Sequence, residues 1–134
     1  AYELSACLVG SEMCIRDSAY SPYYNFKVGS IVVMKDGSEF IGVNVENANG
    51  TSICAERHAI GSAIAHGYKK GDFDRIYVML ENGEFGTPCF ACRQVILEFF
   101  DKDSKVICVN KNGEEKNYTV SELCPFPFDS EDLK

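Results

Sequence analysis

The sequence predicts an α/β domain, a three-layer α/β/α sandwich in which helices cover a mixed central β-sheet on both faces. Three observations lead there. Short β-rich segments alternate with two helical segments, a tight-turn signal joins the first two strands, and each helical segment opens on a cysteine that follows a loop. A chain of 134 residues that is 46% hydrophobic fits one compact domain with a single core.

The elements follow in order. From Val28 to Val45 the chain reads as a hairpin, "SIVVMK" then "EFIGVNV", with Asp36-Gly37 as its turn. After "ENANGTSI", the stretch "CAERHAIGSAIAHGY" sets Ile60 and Ile64 four apart and closes on Gly67 with Lys69 and Lys70 beyond, a helix from about Cys54. "DRIYVML" (Asp74 to Leu80) is a strand, and the loop after it ends on Pro88, a residue favoured in a first helical turn. Cys89 therefore opens a second helix, which runs to about Phe100. "KVICVN" is a further strand, Asn112-Gly113 a turn and "EKNYTV" one more strand; Thr119-x-x-Glu122 caps a last short helix before the tail "CPFPFDSEDLK". The order is ββαβαβ(β).

Residues 1–17 stand apart from the domain expected over 18–134. "AYELSACLVG" suits a short amphipathic helix, whereas "SEMCIRDS" has neither a helical face nor a strand alternation and resembles a translated sequencing-adapter fragment, foreign to a natural protein.

Composition excludes several function classes. A net charge of -7 and a pI near 4.8 repel phosphate backbones, so nucleic acid is not the expected partner. No apolar run approaches the roughly 20 residues that cross a bilayer, and the start lacks a signal-peptide pattern, so no membrane partner and a cytoplasmic location are expected. Seven cysteines form an odd set, and Cys89-x-x-Cys92 in a reducing compartment points to metal or redox chemistry before structural disulfides.

Cys54, Cys89 and Cys92 each fall in the first turn of an expected helix, where free N–H groups and the positive dipole end favour thiolates. Cys89 and Cys92 share a helical face, so Cys54 completes a triangle around one ion if the two helix starts are adjacent. Thiolates in tetrahedral geometry suit zinc, and three ligands leave a fourth position open. A closed site completed by Cys108 or Cys124, or plain buried cysteines, is the alternative. Glu56 weighs against it: two residues past Cys54, its carboxylate reaches past the metal without ligating and can handle the protons of water. A zinc ion with three thiolates carries net negative charge, and Arg57, adjacent to Glu56, and Arg93, adjacent to Cys92, are placed to donate to the sulfurs and offset it. His58 reads as a structural or surface histidine, and His66 suits the helix end.

At "CAER" followed by "PCFACRQ" the sequence resembles the small homotetrameric cytidine deaminases, zinc hydrolases of free nucleosides. The resemblance runs from about Ser18 to Leu133 and includes "AYSPYYNFKVGS", "GVNVENA" and "FDSEDL". It implies a cytidine deaminase-like fold and one zinc ion per subunit on Cys54, Cys89 and Cys92, with Glu56 as proton shuttle. It further implies that Asn44 and Glu46 hold the ribose hydroxyls, that Phe26 packs beside the base and that the backbone around Ala55 contacts the pyrimidine. Phe128 matches a ring contributed to a neighbouring subunit's site, which implies a homotetramer with shared active sites. The implied reaction converts cytidine and deoxycytidine to uridine and deoxyuridine plus ammonia, in pyrimidine salvage.

One departure stands out. Seven residues, "NANGTSI", separate Glu46 from Cys54, where the family more often has eight including a tyrosine. The shorter loop leans towards deaminases of modified nucleosides or antibiotics such as blasticidin S, although those usually lack the Asn-x-Glu pair. The non-enzyme alternative is a binding domain around a closed structural zinc, in which a fourth protein ligand replaces water.

Overall fold

The structure is a computed structural model and describes residues 15–81 and 85–134. Its centre is a five-stranded mixed sheet in the order β2-β1-β3-β4-β5, formed by β1 (Val28–Met34), β2 (Glu39–Val43), β3 (Phe73–Leu80), β4 (Lys105–Val109) and β5 (Glu115–Thr119). Only β3 and β4 run parallel; every other neighbouring pair is antiparallel. That parallel step is forced by the helix between them, since a crossover returns the chain to the same end of the sheet.

Position in the sheet explains the strand sequences. β1 lies between two neighbours and is buried on both faces, so "VGSIVVM" is almost continuously apolar. β2 and β5 are edges and carry the polar residues of "EFIGV" and "EKNYT". The β1–β2 turn needs Gly37 at φ +92°, in the left-handed region, and the Gly37 N–H donates to the Met34 carbonyl at 2.9 Å.

Helix α1 (Ala55–Ala65) and helix α2 (Phe90–Phe99) lie on one face of the sheet, with the short α3 (Val120–Leu123) beside them. Val32, Met34, Ile76, Val78, Val106 and Cys108 from the strands meet Ala59, Ile60 and Ala63 of α1 and Ile96 of α2 in one core. Alternate strand residues, Ile31, Val33, Tyr77, Met79, Ile107 and Val109, form a second buried cluster on the opposite face. The mixed sheet is as expected. The helix expected in the first ten residues lies outside the described residues, so the described α-helices all belong to the first face. Of the segment 1–17, only a single 3-10 turn, Ile15–Ser18, begins within the description.

The two long helices are positioned by close packing. At Gly42 of β2 a Cβ would stand 2.2 Å from the Ala55 carbonyl oxygen and 2.4 Å from the Ala59 nitrogen, so only glycine lets α1 settle onto the sheet there. That contact falls on the first turn of α1, next to Cys54 and Glu56.

Candidate active site

Both helices begin on a cysteine. Cys54 is the N-cap of α1, with extended backbone and no capping bond from its sulfur to the backbone N–H groups of the helix. Cys89 is the N-cap of α2, and its sulfur accepts the Cys92 N–H at 3.5 Å. The sulfurs of Cys54, Cys89 and Cys92 all lie within 4.8 Å of one another, and Cys54 and Cys89 are 3.9 Å apart. A disulfide needs about 2.05 Å. Tetrahedral zinc with Zn–S bonds of about 2.3 Å sets sulfurs about 3.8 Å apart, so the triad fits a zinc ion.

The electrostatics agree with that fit. Burial pushes the Cys92 thiol far above its usual range, and the Glu56 carboxylate and Cys54 push it further. Burial raises Cys89 too, but bonds from the Cys92 amide and from the Cys92 and Cys54 side chains outweigh it and hold Cys89 below its usual value. Glu56 is 5% exposed, and burial lifts its pKa although the Cys92 thiol and Arg57 oppose the rise. Acid groups crowded in this way are short of positive charge, and a divalent cation supplies it while deprotonating the thiols it binds. No fourth ligand joins the triad among the described residues: Cys108 lies in the core, and the Cys124 thiol reaches the Arg93 carbonyl at 3.7 Å. The closed-site alternative finds no support among these residues.

The two arginines part company. Arg57 donates from Nη2 to the Cys54 sulfur at 3.2 Å, and these sulfur bonds raise its pKa above the usual arginine range. Arg93 is a correction to the expectation drawn from sequence, because its guanidinium does not reach a sulfur. Its Nε donates to the Pro88 carbonyl at 2.8 Å, Nη1 to the Leu123 carbonyl at 2.9 Å and Nη2 to the Thr87 hydroxyl at 2.7 Å, while the Phe90 ring lies 4.5 Å below it. Spacing alone does not separate them, since Arg57 follows Cys54 by three residues and Arg93 follows Cys89 by four; the Arg93 guanidinium is drawn instead to the three oxygens of Thr87, Pro88 and Leu123. Arg93 clamps the approach to Cys89 against the end of α3.

A cleft of about 240 Å³ opens above the triad. Cys54, Ala55, Glu56 and Cys89 form its chemical end, Asn44 and Glu46 line it, and Phe26 and Val28 add apolar wall. Asn44 accepts the Val28 N–H at 2.9 Å and donates to the Phe26 carbonyl at 2.8 Å. Glu46, 6% exposed, accepts the Ser21 hydroxyl at 2.7 Å and the Tyr23 and Tyr24 amides at 2.8 and 3.2 Å. Burial works to raise the Glu46 pKa, but these three bonds outweigh it and keep the carboxylate ionised.

Phe128 is not brought into this cleft by its own chain. It is 59% exposed and lines a separate groove with Phe90, Leu97 and Phe126, where its carbonyl accepts from Gln94 Nε2 at 2.7 Å. His58 is exposed with Nδ1 against the Val43 backbone, and His66 Nδ1 lies 2.8 Å from the Ser62 carbonyl. Neither histidine belongs to the triad. Ser21 and Thr87 escaped the sequence reading, because nothing local marks a serine before a proline or a threonine in a loop as a partner of the site.

Comparison with known proteins agrees with this geometry. Residues 9–119 match the family described as the cytidine and deoxycytidylate deaminase zinc-binding region, a match that begins inside the segment set apart above. The chain is 41% identical over 127 residues to a cytidine deaminase of Halalkalibacterium halodurans, covering 94% of this chain and 95% of that one. It is 38% identical over 133 residues to a probable cytidine deaminase of Dictyostelium discoideum, covering 98% and 87%. The crystal structure of cytidine deaminase from Burkholderia pseudomallei superposes with a TM-score of 0.86 at 39% identity, covering 95% of this chain and 98% of that one. With three thiols gathered as the zinc-binding region requires and the whole fold shared, the chain belongs to the cytidine and deoxycytidylate deaminase zinc-binding family.

Proposed function

We propose that this chain hydrolyses the exocyclic amine of cytidine and deoxycytidine, giving uridine and deoxyuridine plus ammonia, and that it works as a homotetramer on free cytoplasmic nucleosides. One observation carries the chemistry: a buried carboxylate, Glu56, stands beside three clustered thiols at the closed end of a cleft lined by Asn44 and Glu46.

Cys54, Cys89 and Cys92 would hold the zinc ion. When bound, zinc supplies the Lewis acidity that lowers the pKa of water at this site towards neutrality. Glu56 does the proton work, in the manner of base deaminases generally. It takes a proton from water and passes it to N3 of the pyrimidine as the C4–O bond forms. It then takes the proton of the new C4 hydroxyl and delivers it to the amino nitrogen; the C4 carbonyl forms as the C4–N bond breaks and ammonia leaves. The raised pKa of Glu56 suits a group that must hold and release a proton near neutral pH. Arg57 offsets thiolate charge through Cys54, Phe26 packs beside the base, and the Ala55 backbone meets the pyrimidine edge. Asn44 and Glu46 each keep bonding capacity beyond their internal partners and use it on sugar hydroxyls. Phe128 serves the cleft of a neighbouring subunit.

The short loop between Glu46 and Cys54 favours a second reading, deamination of a modified nucleoside or an antibiotic. Asn47 folds that loop tightly, donating to the Thr51 carbonyl and hydroxyl and accepting from the Asn49 and Thr51 amides. The Asn44 and Glu46 pair argues for a ribose instead. Initial rates on cytidine, deoxycytidine and blasticidin S, followed by ultraviolet absorbance and ammonia release, separate the two. The natural nucleosides are expected to give the higher kcat/KM; turnover of blasticidin S alone would overturn the proposal.

A further inference from the structure

Behind Glu46, outside the cleft lining, lies a side chain with no assigned role. Ser21 is 6% exposed, and its hydroxyl stands 2.7 Å from Glu46 Oε2, 3.1 Å from the Phe26 carbonyl and accepts the Phe26 N–H at 2.9 Å. The hydroxyl has one proton and two acceptor sites. The shorter, charge-assisted contact takes the proton, so Ser21 donates to Glu46 while holding the Phe26 backbone.

An ionised carboxylate offers about two acceptor sites on each oxygen. On Glu46, Oε1 is filled by the Tyr23 and Tyr24 amides, and among the described residues Oε2 receives only Ser21. The remaining acceptor site is therefore on the oxygen that Ser21 holds. Without that bond the carboxylate is tied through Oε1 only, and Oε2 is free to turn away from the cleft.

We propose that Ser21 is a positioning residue for sugar recognition: it fixes the free acceptor of Glu46 towards the cleft and ties that carboxylate to the backbone of Phe26. This rests on the reading of Glu46 as a sugar-hydroxyl partner. Ser21 acts on nucleosides that carry a diol, and it leaves the metal and the proton transfers alone.

The test uses the zinc-loaded protein with Ser21→Ala, with cytidine and with 2′,3′-dideoxycytidine, which presents no diol. Loss of one charge-assisted bond should raise the KM for cytidine about 5- to 20-fold. The kcat for cytidine, the zinc content and the apparent affinity for the dideoxy compound should stay within about twofold of wild type. Ser21→Cys, which keeps a weak donor, should fall between and covers the case in which the alanine variant fails to fold. An unchanged KM for cytidine, an equal loss on both compounds, or a fall in zinc content would each overturn the proposal. Glu46→Gln separates it from the reading beneath it. If that variant abolishes the preference for cytidine over the dideoxy compound while Ser21→Ala does not, only the role of Ser21 fails. If Glu46→Gln keeps the preference, the sugar reading of Glu46 fails first.

Discussion

Arg57 and Cys54 are joined across one turn of α1, with Arg57 Nη2 donating to the Cys54 sulfur at 3.2 Å. The bond carries positive charge onto a thiolate that would otherwise add to an already anionic site. Partners that bond to metal ligands commonly account for 10- to 100-fold in metal affinity or activity. Arg57→Gln should therefore lower kcat/KM or speed zinc loss to a chelator by about 10- to 100-fold. Wild-type values in both measurements would mean that the bond does nothing for the site.

Gly42 and Ala59 approach as closely as backbone allows, and a side chain at Gly42 meets main-chain atoms that cannot turn aside. Gly42→Ala should shift α1 off β2, at a cost of about 1–3 kcal/mol or more for overpacking. Because Cys54 and Glu56 ride on the first turn of that helix, zinc content should fall with stability. Denaturant midpoints and metal analysis of the same preparation test both effects.

Arg93 holds three oxygens from three places: Thr87, Pro88 and Leu123. A lysine keeps the charge but not the fork, so Arg93→Lys should destabilise the protein by about 1.5–3 kcal/mol. Chelator-driven zinc release should also quicken, since Pro88 immediately precedes Cys89. Release at the wild-type rate would show that the clamp serves the fold alone.

Cys108 titrates in the core. Burial pushes its thiol up to about 11 from an ordinary value of 9.0, with the Glu56 charge adding to the rise. Between pH 9 and 11 the unfolded chain releases this proton and the folded chain keeps it, so stability falls as pH rises through that window. The loss amounts to about 3 kcal/mol at most. Cys108→Ala should be less stable at pH 7 because of the cavity, yet lose less between pH 9 and 11. Parallel stability curves for the two proteins would contradict the assignment.

The backbone plan was legible because local signals marked its joints. Asp36-Gly37, Cys54, Pro88-Cys89 and the Thr119–Glu122 capping box all stand where a turn or a helix begins. The second strand was read too long, to Val45, because alternation continues there. Val45 instead makes isolated bridges to Tyr20 and Ile53, beyond the regular pairing with β1. The metal triad was legible because residues three apart share a helical face; Arg93 was misread because the oxygens of Thr87, Pro88 and Leu123 that take its guanidinium leave no local signal in the sequence. Ser21 was out of reach for another reason. Its partner Glu46 is 25 residues away, across the whole β1–β2 hairpin, and the loop from Ser21 into β1 bends through Asn25 at φ +52°. No periodicity in the sequence records such a contact.

The proposed chemistry requires Glu56 to move protons at a site whose metal it does not bind. Zinc content and the loss of ultraviolet absorbance with cytidine should be measured side by side for wild type and Glu56→Gln. General acid–base catalysis is worth about 10²- to 10⁴-fold, so Glu56→Gln should keep its zinc and lose at least that much in kcat. A variant that retains zinc and turns over cytidine at the wild-type rate would contradict the claim, and so would one whose activity disappears only because the zinc is gone.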